Sequence, residues 1–429
     1  MKKLLIILLI VGWVFGDTIV VQTERKDNKV VTEKFVRNYN DDDYNGIFSM
    51  FADVMKEALP LDKTTEFLKG LKSQAGNISN REFVKYENGT YASYKTTFER
   101  AVFVLNISID DNSDINSFSV KPFVEEVNSE HVINNLTIKS GLITQKQSEI
   151  IFENAKIFPN HTQISIAIIK DGKVNYYGIH NKNDTISTVI DQKSVFEIGS
   201  ISKVFTSTIL ANFVIDEKIN LNDNINGYLK TSFNNDTEIS FINLANHTSG
   251  LPRLPSNLDL TKVNPENPYK EYKEKELEEY LTKHLELLNK EKYQYSNLGA
   301  GLLGYTLSKI ENTTYENLLQ NKIFSKFNMY NSTSDINKIK GNLVKGLNNE
   351  GNDVPNWEFS VLAGAGAIFS TVEDLSQFAI SQFDNSNKEL KLTRKKTFEV
   401  NENIDIGLGW HILKSQSKNF WYWHNGGTG

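Results

Sequence analysis

Cysteine is absent from the 429 residues. With it go disulfides, thiolate zinc sites, a cysteine nucleophile and the lipid anchor that needs a cysteine behind a signal peptide. Stability must come from packing. Proline is scarce at 8 and glycine modest at 25, which excludes collagen-like and low-complexity chains. Surplus positive charge is missing too: Lys+Arg 47 against Asp+Glu 53 leaves −6 at pH 7 and a pI ≈ 5.8, without the basic footprint of a nucleic-acid binder. Beyond the first residues there is no run of about 18 apolar residues, so no integral membrane segment is expected after the N-terminus.

What is present is an ordinary globular composition, 39% hydrophobic and 23% charged, on a chain long enough for about two to three domains. The chain opens Met1-Lys2-Lys3, runs apolar from Leu4 to Val11 and reaches Val14-Phe15-Gly16 before Asp17. A positive start, a short apolar run and small residues ahead of the junction mark residues 1–16 as a secretory signal cleaved after Gly16. The run is too short to span a bilayer. Sequons at Asn88, Asn160 and Asn312 are what an Asn- and Thr-rich sequence produces by chance, so the expected location is a bacterial envelope, periplasmic or secreted.

Residues 17–126 read as a small α+β domain. Ile47, Phe48, Phe51, Val54, Met55 and Leu59 form an amphipathic stretch stopped by Pro60, and Thr64 to Leu71 a second helix. Tyr91–Phe98, Ala101–Ile109 and Ile115–Phe123 are strand-like and separated by turn residues. That element order resembles the cone-shaped nuclear-transport-factor-2-like (NTF2-like) domains, with no residue motif behind it. The polar stretch 127–143 reads as a linker before a larger domain, 144–429. There Ile150–Ala155 is helical, Lys170-Asp171-Gly172 joins two strands as a hairpin, and Lys270–Lys292 is a solvated helix with Leu277, Tyr280, Leu281 and Leu285 as its buried stripe.

The chemistry lies in the larger domain. In Phe196-Glu197-Ile198-Gly199-Ser200-Ile201-Ser202-Lys203, a helix opening at Ser200 places Lys203 one turn on and on the same side, roughly 5–6 Å away between Cβ atoms. An ammonium there lowers the cost of an alkoxide, and the helix N-terminus adds donors where an oxyanion forms. By itself the pattern is weak, since Ser415-Gln416-Ser417-Lys418 repeats it in a polar setting. A second cluster is Tyr295-Ser296-Asn297, followed by the small-residue run Leu298 to Gly304. That run matches G-x-G-x-x-G without a preceding strand or a βαβ unit, so it reads as close helix packing rather than dinucleotide binding. A third is Trp423-His424-Asn425-Gly426-Gly427-Thr428-Gly429.

These three motifs, in this order, resemble the serine β-lactamase and penicillin-binding-protein superfamily, in its class C branch with the D-Ala-D-Ala carboxypeptidases and esterases. Leu244 to Pro252, Leu362 to Gly366 with Ser370-Thr371, and Gly407-Leu408-Gly409-Trp410 are similar to the same family. The resemblance spans about residue 140 to the end and implies an α+β fold, an antiparallel sheet flanked by helices with a helical subdomain. It implies Ser200 as acylated nucleophile, Lys203 as its electrostatic partner, Tyr295 as general base and Asn297 as a ligand of the substrate amide. The backbone N–H groups of Ser200 and Gly427 would form the oxyanion hole. His424 stands where many members carry lysine; neutral imidazole binds a carboxylate less strongly, which moves weight from β-lactams towards wall-peptide amides and esters.

The expected function is thus an exported serine hydrolase of the D-Ala-D-Ala carboxypeptidase kind or related amide and ester hydrolysis, with a class C-type β-lactamase, and a non-catalytic penicillin- or wall-peptide-binding protein or inactive fragment, as alternatives. Its partner would be a small molecule or a peptidoglycan peptide; what the small N-terminal domain meets is open. No cofactor and no metal are expected: His131, His161, His180, His284 and His411 are scattered, His247 reads as part of a structural turn, and both H-E-x-x-H and G-x-S-x-G are missing. Because the family fold continues with further strands and a helix, a C-terminally incomplete reading frame is also expected.

Overall fold

The computed structural model describes residues 23–87, 91–123, 129–138, 143–259, 262–264, 266–288, 292–348, 350–414 and 420–428. The signal stretch 1–16 and the repeated motif at 415–418 lie outside them. Among the described residues, 23–123 form one unit and those from 129 on another.

In the first unit four helices, α1 (Lys26–Asn40), α2 (Tyr44–Ser49), α3 (Asp53–Ala58) and α4 (Leu61–Ala75), precede four strands, β1 (Ile78–Glu87), β2 (Tyr91–Phe98), β3 (Val102–Ile109) and β4 (Ile115–Pro122). The strands form an antiparallel meander. Phe35, Tyr39, Ile47, Phe51 and Leu68 pack with Tyr94, Phe98, Leu105 and Ile107 in one core. Helices before a meander is the element order expected of an NTF2-like domain. Helix α1 and strand β1 were not among the expected elements, because α1 is mostly polar and buries only Val31, Phe35 and Tyr39 of its apolar residues, at four-residue spacing, and β1 interleaves charges with its apolar residues. The stretch 47–59 is two helices rather than one. Ile115 exchanges backbone hydrogen bonds with Met50 and Ala52 (2.7 and 2.9 Å), which pulls the chain out of helical geometry and leaves Val54 75% exposed.

The second unit begins with β5 (Ile133–Asn135), α5 (Gln145–Ala155), β6 (Gln163–Lys170), β7 (Lys173–Lys182) and β8 (Thr185–Val189). These strands form a sheet of order β5-β8-β7-β6, so the stretch read as a linker contributes a short parallel edge strand. Thr144 and Gln147 cap α5 reciprocally. Strand β9 (Val195–Glu197) leads to α6 (Ser202–Ile215), followed by α7 (Phe241–Ala245), α8 (Glu274–Glu279), α9 (Asn297–Ile310) and α10 (Tyr315–Leu319). Two-residue strands β10 (Gly346–Leu347) and β11 (Asp353–Val354) come next, then β12 (Phe369–Thr371), paired with β9, and α11 (Val372–Ser381) and α12 (Lys388–Thr393). The last sheet is β13 (Phe398–Asn401), β14 (Ile404–Ile406), β15 (His411–Lys414) and β16 (Phe420–Trp423), antiparallel and in chain order.

Helix α6 is apolar on every side, and Val204, Phe205, Ile209, Leu210 and Phe213 are at most 1% exposed; such a helix has to be central. The solvated helix expected over 270–292 is shorter than its pattern. Its start is set at Glu274 by the Glu276 carboxylate, which accepts the Lys273 N–H (3.0 Å), and it ends in a π turn, Tyr280–His284. The expected stripe Leu277, Tyr280, Leu281 and Leu285 is buried. Among the described residues no helix is long and apolar enough to cross a membrane.

Candidate active site

Ser200 lies in a tight 3-10 turn, Gly199–Ile201, that runs straight into α6. Gly199 has φ +49°, and a Cβ there would come within 2.7 Å of the Gly427 nitrogen; a Cβ on Gly426 would sit 2.0 Å from the Ile198 carbonyl oxygen. Only glycine permits this contact, which packs the segment after β16 backbone to backbone against the Ser200 turn.

One turn into α6, Lys203 is 2% exposed. Its Nζ stands 3.0 Å from Ser200 Oγ and 2.8 Å from the Ala365 carbonyl oxygen, with no carboxylate in ion-pair range among the described residues. That carbonyl is presented by the turn Ser360–Ala365, which lies on α9 because Gly301 and Gly304 leave room for it: a Cβ on Gly304 would be 2.9 Å from Gly364 Cα, and one on Gly364 2.6 Å from the Ala300 oxygen. The glycine run is thus a packing face.

Tyr295 precedes Ser296, whose Oγ accepts the Gly299 N–H to cap α9 and donates to the Pro252 carbonyl. The Tyr295 phenol is near enough to Ser200 for that hydroxyl to lower its pKa. Around its ring stand Lys203 Nζ at 4.8 Å, the Arg253 guanidinium at 5.4 Å, the His247 ring at 4.5 Å and the His424 ring at 6.4 Å. Burial pushes the Lys203 ammonium well below its usual value, and the charge of Arg253 pushes the same way. Burial raises the Tyr295 phenol, opposed by the Ser200 hydroxyl and by Arg253.

Asn297, the first residue of α9, donates from Nδ2 to Tyr269 Oη (3.0 Å), and its Oδ1 is buried without a partner. His424 is half-buried as a residue, yet its Nε2 is enclosed and unpartnered. Its Nδ1 is 2.6 Å from the Asn425 carbonyl oxygen; a carbonyl only accepts, so Nδ1 carries the proton and Nε2 is a bare lone pair. Burial, then Lys203 and His411, lower its pKa to about 3. The imidazole is therefore neutral at physiological pH.

Ser200, Lys203, Tyr295, His424 and Gly427 are thus gathered at one end of α6, while Asn297 joins through the backbone of Arg253 and through Tyr269. Sequence reasoning passed over two neighbours. His247, read as a turn residue, is 3% exposed, packs on Tyr295 and accepts the Ser296 N–H at Nδ1 (3.2 Å). Arg253 follows it in the same His-Thr-Ser-Gly-Leu-Pro-Arg stretch, and a lone charge after a turn carries no signal of its own. Among the described residues no His, Asp and Glu cluster could hold a metal ion.

A serine-bearing turn thus opens a buried helix, with a lysine one turn on. Residues 156–429, well over half of the chain, match a family model described as beta-lactamase, and the chain belongs to that family. Residues 32–118 match a protein family of unknown function, DUF3887. A beta-lactamase of Providencia stuartii is 30% identical over 192 residues, covering 43% of this chain and 45% of that protein. Beta-lactamase-like protein 4 of Dictyostelium discoideum is 32% identical over 241 residues, 52% of this chain and 40% of that one. The chain thus spans less than half the length of each of these two relatives. The solved beta-lactamase/D-alanine carboxypeptidase of Pseudomonas syringae superposes with a TM-score of 0.52 at 21% identity, over 63% of this chain and 74% of that one, a likeness of fold.

Proposed function

We propose that the chain is a serine hydrolase of amides and esters, acting through an acyl-enzyme on Ser200. The observation that carries this is the buried Lys203 Nζ, 3.0 Å from Ser200 Oγ and without a carboxylate partner. A lysine kept neutral by burial is a base at neutral pH. Ser200 Oγ attacks the substrate carbonyl and its proton passes to Lys203. The oxyanion is received by the Ser200 and Gly427 N–H groups, and the Tyr295 phenol gives its proton to the leaving nitrogen or oxygen. Water then cleaves the acyl ester along the reverse route. This reverses the role expected for Tyr295, because burial favours its neutral phenol over the phenolate a base requires.

His424 supports a second reading within the first. A neutral ring offering a lone pair does not attract a carboxylate on the leaving side, which disfavours β-lactams and peptides ending in a free D-alanine alike and favours amides and esters whose leaving group lacks one. The test is intact-protein mass spectrometry after exposure to a fluorophosphonate and, separately, to a penicillin. Phosphonylation at Ser200 that is absent in Ser200→Ala is expected; an unmodified Ser200 in folded protein overturns the proposal in favour of a binding protein. Export is proposed on Met1 to Gly16: the secreted or periplasmic product is expected to begin at Asp17, and an N-terminus at Met1 would refute it.

A further inference from the structure

Arg253 is exposed, and among the described residues no carboxylate pairs with it. Its guanidinium lies 5.4 Å from the Tyr295 ring centroid. Its carbonyl accepts the N–H groups of Asn297 (3.0 Å) and Leu298 (3.2 Å), which fixes it at the N-terminus of the 14-residue helix α9. Two features there favour an anion: a guanidinium with paired donors and the positive end of a helix dipole. The other expected reader of a carboxylate, His424, presents a lone pair at Nε2. The exposed cation beside this site is therefore Arg253, whose backbone holds the start of α9, and not His424 after β16.

We propose that Arg253 is the anion-recognising residue of the cleft, and that the preferred substrate carries a carboxylate on its acyl part rather than on its leaving group. This rests on the hydrolase reading above. An acidic acyl chain docks its carboxylate bidentately on the guanidinium, next to the Asn297 side chain, and holds the scissile carbonyl over Ser200. A long neutral acyl chain gains nothing from Arg253.

The experiment compares two p-nitrophenyl esters with the same acyl chain, one ending in a carboxylate and the other in a carboxamide. The readout is the ratio of their kcat/KM values, so any general loss from altering a charge beside Tyr295 cancels. The native chain is expected to favour the carboxylate ester by about tenfold, the scale of one charge-assisted hydrogen-bonded pair. Arg253→Gln should bring the ratio close to one, and Arg253→Lys should keep part of it. A native ratio near one, or a ratio that Arg253→Gln leaves unchanged, overturns the proposal. Equilibrium binding of the same two esters to Ser200→Ala separates this from the chemistry. Tighter binding of the carboxylate ester supports anion recognition even where the native chain hydrolyses neither ester, the outcome that sinks the hydrolase reading. Equal binding overturns anion recognition even where hydrolysis is fast.

Discussion

Lys203 spends folding stability on reactivity. A buried ammonium without a counter-ion is costly, and the protein meets that cost by pushing the group towards its neutral form. Two results should follow from replacing it. Lys203→Met should lower the rate of acylation by about a thousandfold or more while raising the urea midpoint, since an apolar side chain of similar length fills the same space; the net gain should be about 1–3 kcal/mol. Loss of activity together with loss of stability would show that Lys203 is a structural hub instead. The pH dependence follows the same group. If neutral Lys203 is the base, kcat/KM rises with pH through its depressed pKa, below the ordinary 10.5. It then holds level until the Tyr295 phenol, raised above 10 by burial, ionises. His424, at about 3, adds no step above about pH 4.

The elements that set the site meet through missing side chains. Helix α6 carries Ser200 and Lys203, helix α9 follows Tyr295, and the turn Ser360–Ala365 joins them: its Gly364 carbonyl accepts Thr206 Oγ1 (2.8 Å) and its Ala365 carbonyl holds Lys203. Gly364→Ala would drive a methyl group to 2.6 Å from the Ala300 oxygen, against backbone that cannot yield without moving a helix. The expected cost is about 2–3 kcal/mol in urea unfolding, with a parallel fall in Ser200 labelling as the Ala365 carbonyl shifts. Gly227→Ala, with nothing within 4 Å of its Cβ, is the control and should be neutral or slightly stabilising. A neutral Gly364→Ala would mean that the α9 contact is looser than described.

Across the second unit, acid is the expected weakness. His247, His411 and His424 all have pKa values lowered by burial, so below 6.5 the unfolded chain binds protons that the folded chain does not. Stability is then highest above pH 6.5 and falls as pH drops towards the folded-state values. Between pH 6.5 and 5.5 the loss should be at most about 3 kcal/mol, since a histidine with an unfolded pKa of about 6.5 that stays neutral in the folded chain gives up about 1 kcal/mol over that unit. Tryptophan fluorescence in urea reports on this unit, because Trp357, Trp410, Trp421 and Trp423 all lie in it. His247→Gln should flatten the slope by about a third; a midpoint that does not move over this range would refute the account.

The sequence by itself determined the candidate side chains of the site: a serine and a lysine one helical turn apart, a Tyr-x-Asn at the head of a small-residue helix, and a His ahead of paired glycines. Those patterns are local, and their spacing needs no knowledge of the rest of the chain. The glycines were legible as close-approach positions, although not what they approach. Polar elements such as α1 and β1 were hidden, because they are stabilised by a few apolar residues meeting partners distant in sequence. Protonation was also out of reach. Whether Lys203 or Tyr295 is the neutral base, and whether His424 is a cation, depends on burial and on charges brought in from other elements, Arg253 above all. Those are properties of the assembled site, since desolvation and Coulomb interactions act through space rather than along the chain.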